Sequence, residues 1–291
     1  MELVRKAYAK INLGLDVLRK RSDGYHDVKM IMQTIGLYDV LTFKSRQDNE
    51  IHIATDHEEL PSNEDNLIYK AAKVLFEETG KTIGADITLE KNIPIAAGMA
   101  GGSTDGAAAL VALNQMLGNP LSMEKLLEIS VKVGADVPYC IMGGTALSEG
   151  IGEKLTPLPA PPKAHLVIAK PDIGVSTAFV YGNLHLDAVK SHPDIDGMAE
   201  ALAKGNLEGI ASRMGNVLET VTIPVYPIIE TIKDICKEMG ALNALMSGSG
   251  PTVFAVFTEE EKAKKAAEKI RERKLAKEVF VTGFIGKEEL I

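Results

Sequence analysis

From Ala7 to Val17 the chain alternates strictly, with Ala7, Ala9, Ile11, Leu13, Leu15 and Val17 separated by Tyr8, Lys10, Asn12, Gly14 and Asp16. A period of two marks a strand with one buried face, and it sets Tyr8, Lys10 and Asn12 side by side on the other. Asp23-Gly24 is a hairpin turn signal leading into a second strand, and the first sixty or so residues read as strand-rich. A helical period then appears over 66–79, 105–117 and 123–133, the last stopped by Gly134 as a C′ residue. Between the first two helices, 84–90 reads as a strand.

The segment Pro157-Leu158-Pro159-Ala160-Pro161-Pro162 carries four prolines in six residues, which argues against regular structure. It is expected to join two domains, 1–156 and 163–291. After it the pattern predicts a strand at 164–169 and helices near 176–183, 197–204, 207–214 and 227–239. The chain then reads as strand, Gly-rich turn and strand over 242–257, a charged helix over 259–273 and a last strand at 278–284. Strands and helices mix without strict βαβ alternation, so the fold class expected is α+β rather than a doubly wound sheet.

Composition narrows the function classes. With 32 basic and 40 acidic residues among 291, the formal net charge is −8. Such a chain lacks the basic surface that would release counterions from nucleic-acid phosphates, so no nucleic-acid partner is expected. No apolar run is long enough to span a bilayer and no secretory segment opens the chain, so neither a membrane partner nor export is expected. The two cysteines, Cys140 and Cys236, show neither disulfide-framework nor zinc-ligand spacing. These features together point to the cytoplasm.

The most informative stretch is Pro94-Ile95-Ala96-Ala97-Gly98-Met99-Ala100-Gly101-Gly102-Ser103-Thr104-Asp105, which runs from a predicted strand into an Ala-rich helix. Glycines let backbone N–H groups turn inward, and a helix start presents unpaired donors and a positive dipole end to an anion. A triphosphate needs such a cradle, and the Ser103-Thr104 hydroxyls can meet phosphate or magnesium. The stretch is neither a Walker A loop nor a dinucleotide fingerprint.

Pro-x-x-x-Gly-x-(Gly/Ala)-Gly-Gly-Ser-Thr-Asp resembles the ATP signature of the GHMP kinases, and Ser247-Gly248-Ser249-Gly250-Pro251-Thr252 resembles their third motif. Ala7-Tyr8-Ala9-Lys10-Ile11-Asn12-Leu13, Asp23-Gly24-Tyr25-His26 and Gly134-Ala135-Asp136-Val137-Pro138-Tyr139 resemble one branch of that family. That branch comprises the kinases of 4-diphosphocytidyl-2-C-methyl-D-erythritol in the non-mevalonate route to isoprenoid precursors. The matches run in chain order over residues 7–257. The resemblance implies a two-domain fold, with an N-terminal domain like ribosomal protein S5, a C-terminal ferredoxin-like sandwich and an active site in the cleft between them. It implies ATP and Mg²⁺ as cofactors and an acceptor bearing a cytidine diphosphate group; a monomer or weak homodimer is expected. Two positions depart from the family pattern. Ala100 stands where Gly is usual, and a conventional turn is expected there because alanine enters positive φ only at a cost. Gly106, where Ala is common, is expected to weaken the helix start by up to about 1 kcal/mol.

Phosphoryl transfer asks for positioning, neutralisation of charge and a destination for the hydroxyl proton. Asp136, before Val137-Pro138, reads by itself as a helix N-cap; the resemblance makes it the catalytic base. Lys10, otherwise a solvated strand lysine, becomes by the same resemblance the active-site cation, with Asn12 lining the same pocket. Tyr25 and His26 are implied to hold the cytosine by stacking and edge contacts, with Tyr181 as a second aromatic. Asn66 and Lys91 match positions used near adenine. The residues that hold magnesium are not assigned. Two rival readings are another GHMP acceptor, such as homoserine or a mevalonate derivative, and a non-catalytic sensor. Tyr25-His26 argues against the first, and the joint presence of Asp136 and Lys10 against the second.

Overall fold

The computed structural model describes residues 1–290 apart from Glu58. The chain forms two compact units that interleave along the sequence: Met1–Ala9, Leu37–Ile95 and Ala100–Met142 make the first, and Lys10–Gly36, Ala96–Met99 and the chain from Gly143 onward make the second.

Two long strands, β1 (Glu2–Lys20) and β2 (His26–Arg46), contribute to both units. The first unit adds β3 (Ile51–Thr55), α1 (Leu67–Thr79), β4 (Gly84–Glu90), α2 (Gly101–Met116), α3 (Met123–Ser130) and α4 (Val137–Met142). Its strand order is β3-β4-β2-β1, with β2 antiparallel and β3 parallel to β4. The core is aliphatic, built from Leu41, Phe43, Ile87 and Leu89 of the sheet against Ile68, Leu75, Leu110, Leu113 and Val137 of the helices. Gly106 has a packing reason. A Cβ there would lie 3.2 Å from the Leu67 carbonyl oxygen and 3.4 Å from Val133, so its absence lets α1 and α2 approach closely.

The second unit holds β5 (Thr145–Gly150), β6 (Lys154–Leu158), β7 (His165–Lys170), α5 (Thr177–Gly182), α6 (Ile195–Ala203), α7 (Leu207–Ala211) and β8 (Gly215–Asn216). It continues with α8 (Glu219–Val225), α9 (Ile228–Glu238), β9 (Asn243–Met246), β10 (Val253–Phe257), α10 (Glu260–Glu272) and β11 (Glu278–Gly283). Strands β7, β9, β10 and β11 form an antiparallel sheet in the order β11-β7-β10-β9, with α9 and α10 packed against it. That order, joined strand–helix–strand–strand–helix–strand, is the ferredoxin-like arrangement. In the same unit β2 pairs with the β5–β6 hairpin and β1 pairs in parallel with β8.

Three expectations are corrected. The proline-rich segment is not free of regular structure: Pro157 sits within β6, opposite Ala146. Strand β6 pairs only with β5, and an edge strand tolerates a residue that cannot donate to the ladder. Helix α2 starts at Gly101, four residues before the periodicity suggested, because two glycines and Ser-Thr carry no apolar signal. The non-apolar face of β1 is not solvated: Lys10 (5% exposed), Asn12 and Asp16 are all buried, and a Cβ on Gly14 would meet Ile195 of α6 at 2.6 Å.

Candidate active site

The Gly-rich loop divides between the units, and each part has its own supports. In the second unit Gly98 has φ +72°, and a Cβ there would overlap the Ser247 carbonyl oxygen while lying 3.3 Å from the Gly250 nitrogen. The hydroxyl of Ser247 donates to the Gly98 carbonyl at 2.9 Å. The Gly-rich loop and the Ser247–Thr252 turn therefore lie backbone against backbone, which only glycine allows. Next to them the Lys10 N–H donates to the Met99 carbonyl at 3.2 Å. The Lys10 ammonium donates to Asn12 Oδ1 at 2.8 Å, the same-face contact that the strand period predicts.

In the first unit the loop enters α2. The first helical bond runs from Thr104 N–H to the Ala100 carbonyl at 2.9 Å, leaving the N–H groups of Gly101, Gly102 and Ser103 without intrahelical acceptors. The turn expected at Ala100 is not the conventional one: φ is 58° and ψ 28°, left-handed, and Ala96 is also at positive φ. For a non-glycine residue this conformation costs about 1–2 kcal/mol. Ala100→Gly relieves that strain, while the freer unfolded chain offsets roughly 0.5–1 kcal/mol of the gain. The expected outcome is a melting temperature about 1–3 °C higher by calorimetry; a fall would show that the strain is not there.

Asp136 precedes α4, and its carbonyl accepts from Cys140 N–H at 3.0 Å, which closes the first helical turn as the Asp-Val-Pro pattern predicted. The turn before it adjoins the loop: a Cβ on Gly134 would lie 4.0 Å from Ser103 Oγ. The helix start that offers donors and the turn that carries a carboxylate are thus neighbours within one unit.

Beneath the loop is a buried charge cluster. Lys91 Nζ bonds to Asp39 Oδ2 and, at 2.9 Å, to Asp105 Oδ2, and all three side chains are nearly inaccessible. Asp39 Oδ1 also accepts from the N–H groups of Asn92 (2.6 Å) and Ile93 (2.7 Å), the residues leading into the loop. Burial, helped by the charge of Asp39, pushes the Asp105 carboxyl up to about 8 against the pull of Lys91. Below that value Asp105 keeps its proton. Lys91 Nζ is committed to Asp39 and Asp105 rather than open to an adenine ring. Asn66 caps α1: its Oδ1 accepts from Ile68 N–H at 2.9 Å and its Nδ2 donates to the Pro61 carbonyl at 2.7 Å.

After the β1–β2 turn Tyr25 is exposed (60%) and His26 is buried, with the Tyr181 ring 5.2 Å from His26 and tilted by 41°. Burial, and secondly the charge of Lys20, holds the imidazole below its usual pKa, so it is neutral at physiological pH. A neutral imidazole carries one donor and one acceptor. Among the described residues no group of three or more His, Cys, Asp or Glu side chains is arranged to hold a metal ion. No helix among them is long and apolar enough to cross a membrane.

Sequence reasoning missed Asp39, which carried no local signal, and the role of Asp105, visible only as the last letter of the loop motif. It also missed Asn216, which holds the Ser247–Thr252 turn.

Two family models match the chain: the GHMP kinases N terminal domain over residues 66–144 and the GHMP kinases C terminal over residues 198–275. The chain is 51% identical to a 4-diphosphocytidyl-2-C-methyl-D-erythritol kinase of Lachnospira eligens, over 97% of its own length and 98% of the relative's. Its identity to the protein of the same name from Lachnoclostridium phytofermentans is 54%, over 96% of each chain. Among solved structures it matches a 4-(cytidine 5'-diphospho)-2C-methyl-D-erythritol kinase with TM-score 0.83 and 31% identity, covering 98% of this chain and all of that one. A homoserine kinase of Cytophaga hutchinsonii shares the fold with TM-score 0.73 at 22% identity over 95% and 93% of the two chains.

Proposed function

The chain belongs to the GHMP kinases, and within them to the 4-diphosphocytidyl-2-C-methyl-D-erythritol kinases, and on that premise we propose how its residues share the work. It phosphorylates the 2-hydroxyl of 4-diphosphocytidyl-2-C-methyl-D-erythritol with ATP, giving the 2-phosphate and ADP, in the non-mevalonate route to isoprenoid precursors. Near-full-length identity to kinases of that name carries this reading.

Phosphates of ATP lie along the backbone of residues 94–104, whose glycine content and helix start supply N–H donors at no reorganisation cost. Asp136 accepts the proton of the 2-hydroxyl as the oxygen attacks the γ-phosphorus. Lys10, oriented by Asn12, neutralises charge on the transferring group. Tyr25 stacks on the cytosine while His26 and Tyr181 complete its surround. The neutral state of His26 suits it to bond an uncharged base. Asn66 and the main chain at Lys91 border the adenosine. Mg²⁺ fits this donor set as a partner of the phosphates: the Ser103 and Thr104 hydroxyls stand at the helix start, and magnesium is commonly held by substrate phosphates and water with few protein ligands. When bound it neutralises phosphate charge. The functional halves follow 1–156 and 163–291, and the enzyme acts in the cytoplasm as a monomer or weak homodimer. Its acidic surface gives nucleic acid no footing.

A kinase of homoserine or mevalonate would have no use for an aromatic pair beside an exposed tyrosine. CMP is therefore expected to compete with the acceptor and not with ATP in steady-state assays coupled to ADP release. No effect of CMP at millimolar concentration would overturn the cytidyl site, whereas absence of ADP release with the acceptor would overturn the kinase reading itself.

A further inference from the structure

The shape of the Ser247–Thr252 turn is set from outside by a segment that belongs to none of the recognised motifs. Asn216, the second residue of β8, is 7% exposed. Its Nδ2 donates to the carbonyls of Met246 and Gly248, each at 2.8 Å, and its Oδ1 accepts from Leu218 N–H at 3.0 Å. Both amide donors are thus spent on one turn. Two residues downstream reinforce the hold. Thr222 Oγ1 donates to the Ser249 carbonyl at 3.2 Å, and Glu219 Oε1 accepts from Met246 N–H at 2.8 Å. Lys233 fixes the other oxygen of Glu219 at 2.8 Å.

Strand β8 is in turn fixed to β1, the strand of Lys10 and Asn12. Gly215 and Asn216 pair with Gly14 and Leu15, and Val217 N–H donates to the Leu15 carbonyl at 3.1 Å. The far side of the turn meets the Gly-rich loop: a Cβ on Gly248 would lie 3.1 Å from the Gly98 carbonyl oxygen and 3.6 Å from Asn12 Oδ1. In a planar trans peptide the carbonyl and the following N–H point in opposite directions. Holding the Gly248 carbonyl toward Asn216 therefore turns the Ser249 N–H away from it.

We propose that Asn216 is a positioning residue for phosphoryl transfer, fixing the Gly248–Ser249 peptide so that the Ser249 N–H is presented to a phosphate of ATP, and keeping the Gly98 bend in register with the strand of Lys10. This rests on the kinase reading above. It adds a specific residue, outside the recognised motifs, on which nucleotide affinity depends.

Asn216→Asp keeps the shape and the acceptor for Leu218 but presents no donor to Met246 or Gly248; Asn216→Ala removes both. Steady-state kinetics of the full-length variants, run well below their melting temperatures, are expected to show a KM for ATP raised at least about tenfold, with the KM for the acceptor within about twofold of wild type. Asn243 supplies the control. It lies on β9 beside the same turn and donates to the Ala211 carbonyl at 2.8 Å. Asn243→Ala is expected to lower the melting temperature and leave both KM values in place. A wild-type KM for ATP in Asn216→Asp overturns the proposal, as does an equal rise in Asn243→Ala. If the Asn216 variants do not fold, Thr222→Val removes a donor to the turn at constant shape. It is then expected to raise the KM for ATP severalfold, and an unchanged value overturns the proposal. If the wild type transfers no phosphate to the cytidyl acceptor, the kinase reading fails instead, and ADP titration calorimetry on Asn216→Asp decides the positioning role alone.

Discussion

Asp136→Asn is expected to slow turnover by about 10²–10⁴-fold while ADP still binds and the protein still melts within a degree or two of wild type. The two halves of that expectation come from different atoms. The backbone of Asp136 closes the first turn of α4 by accepting from Cys140 N–H, and the substitution leaves that bond in place. Asparagine also caps a helix about as well as aspartate. What it cannot do is accept the hydroxyl proton, so loss falls on the chemical step and appears in kcat. Single-turnover measurement with saturating ATP and acceptor isolates that step. Turnover equal to wild type would remove Asp136 from the mechanism. A large fall in melting temperature would mean that its role is architectural.

Gly98→Ala has the largest expected effect on stability. Positive φ costs about 1–2 kcal/mol for alanine. The added Cβ also has to displace the Ser247 carbonyl, with the Ser247 carbonyl carbon at 3.1 Å and the Gly250 nitrogen at 3.3 Å leaving no room. Overpacking of this kind costs about 1–3 kcal/mol, giving roughly 2–5 kcal/mol in all. The melting temperature should fall by roughly 5–15 °C, and the stabilisation conferred by ADP should shrink with it. Gly24→Ala separates the two contributions, because Gly24 has φ +89° but nothing within 4 Å of its missing Cβ. It should lose only the conformational part. Equal losses at the two positions would show that the close approach to Ser247 is unimportant.

Local features of this chain were legible where a short run of residues states its own structure. The alternation of β1, the helix α1, the strand at Gly84–Glu90, the Asp-Val-Pro start of α4 and the charged helix α10 all lie close to where their patterns put them. The loop and its family were legible for the same reason. What was hidden depends on partners far along the chain. Asp39 is a surface-type residue by sequence, and only the return of β4 and α2 brings Lys91 and Asp105 to it. Asn216 occupies a two-residue strand, too short to show any period. Pro157 speaks against a strand unless its edge position is known. The left-handed Ala100 runs against the preference of its own residue type, so tertiary context sets it.

The bond between Ser247 and Gly98 joins residues 149 positions apart. The glycine signature is complete once Asp105 has been synthesised, yet the Ser247 side of its bend is missing until the residues after β9 emerge from the ribosome. Nascent fragments therefore carry the signature without the Ser247 support of its bend.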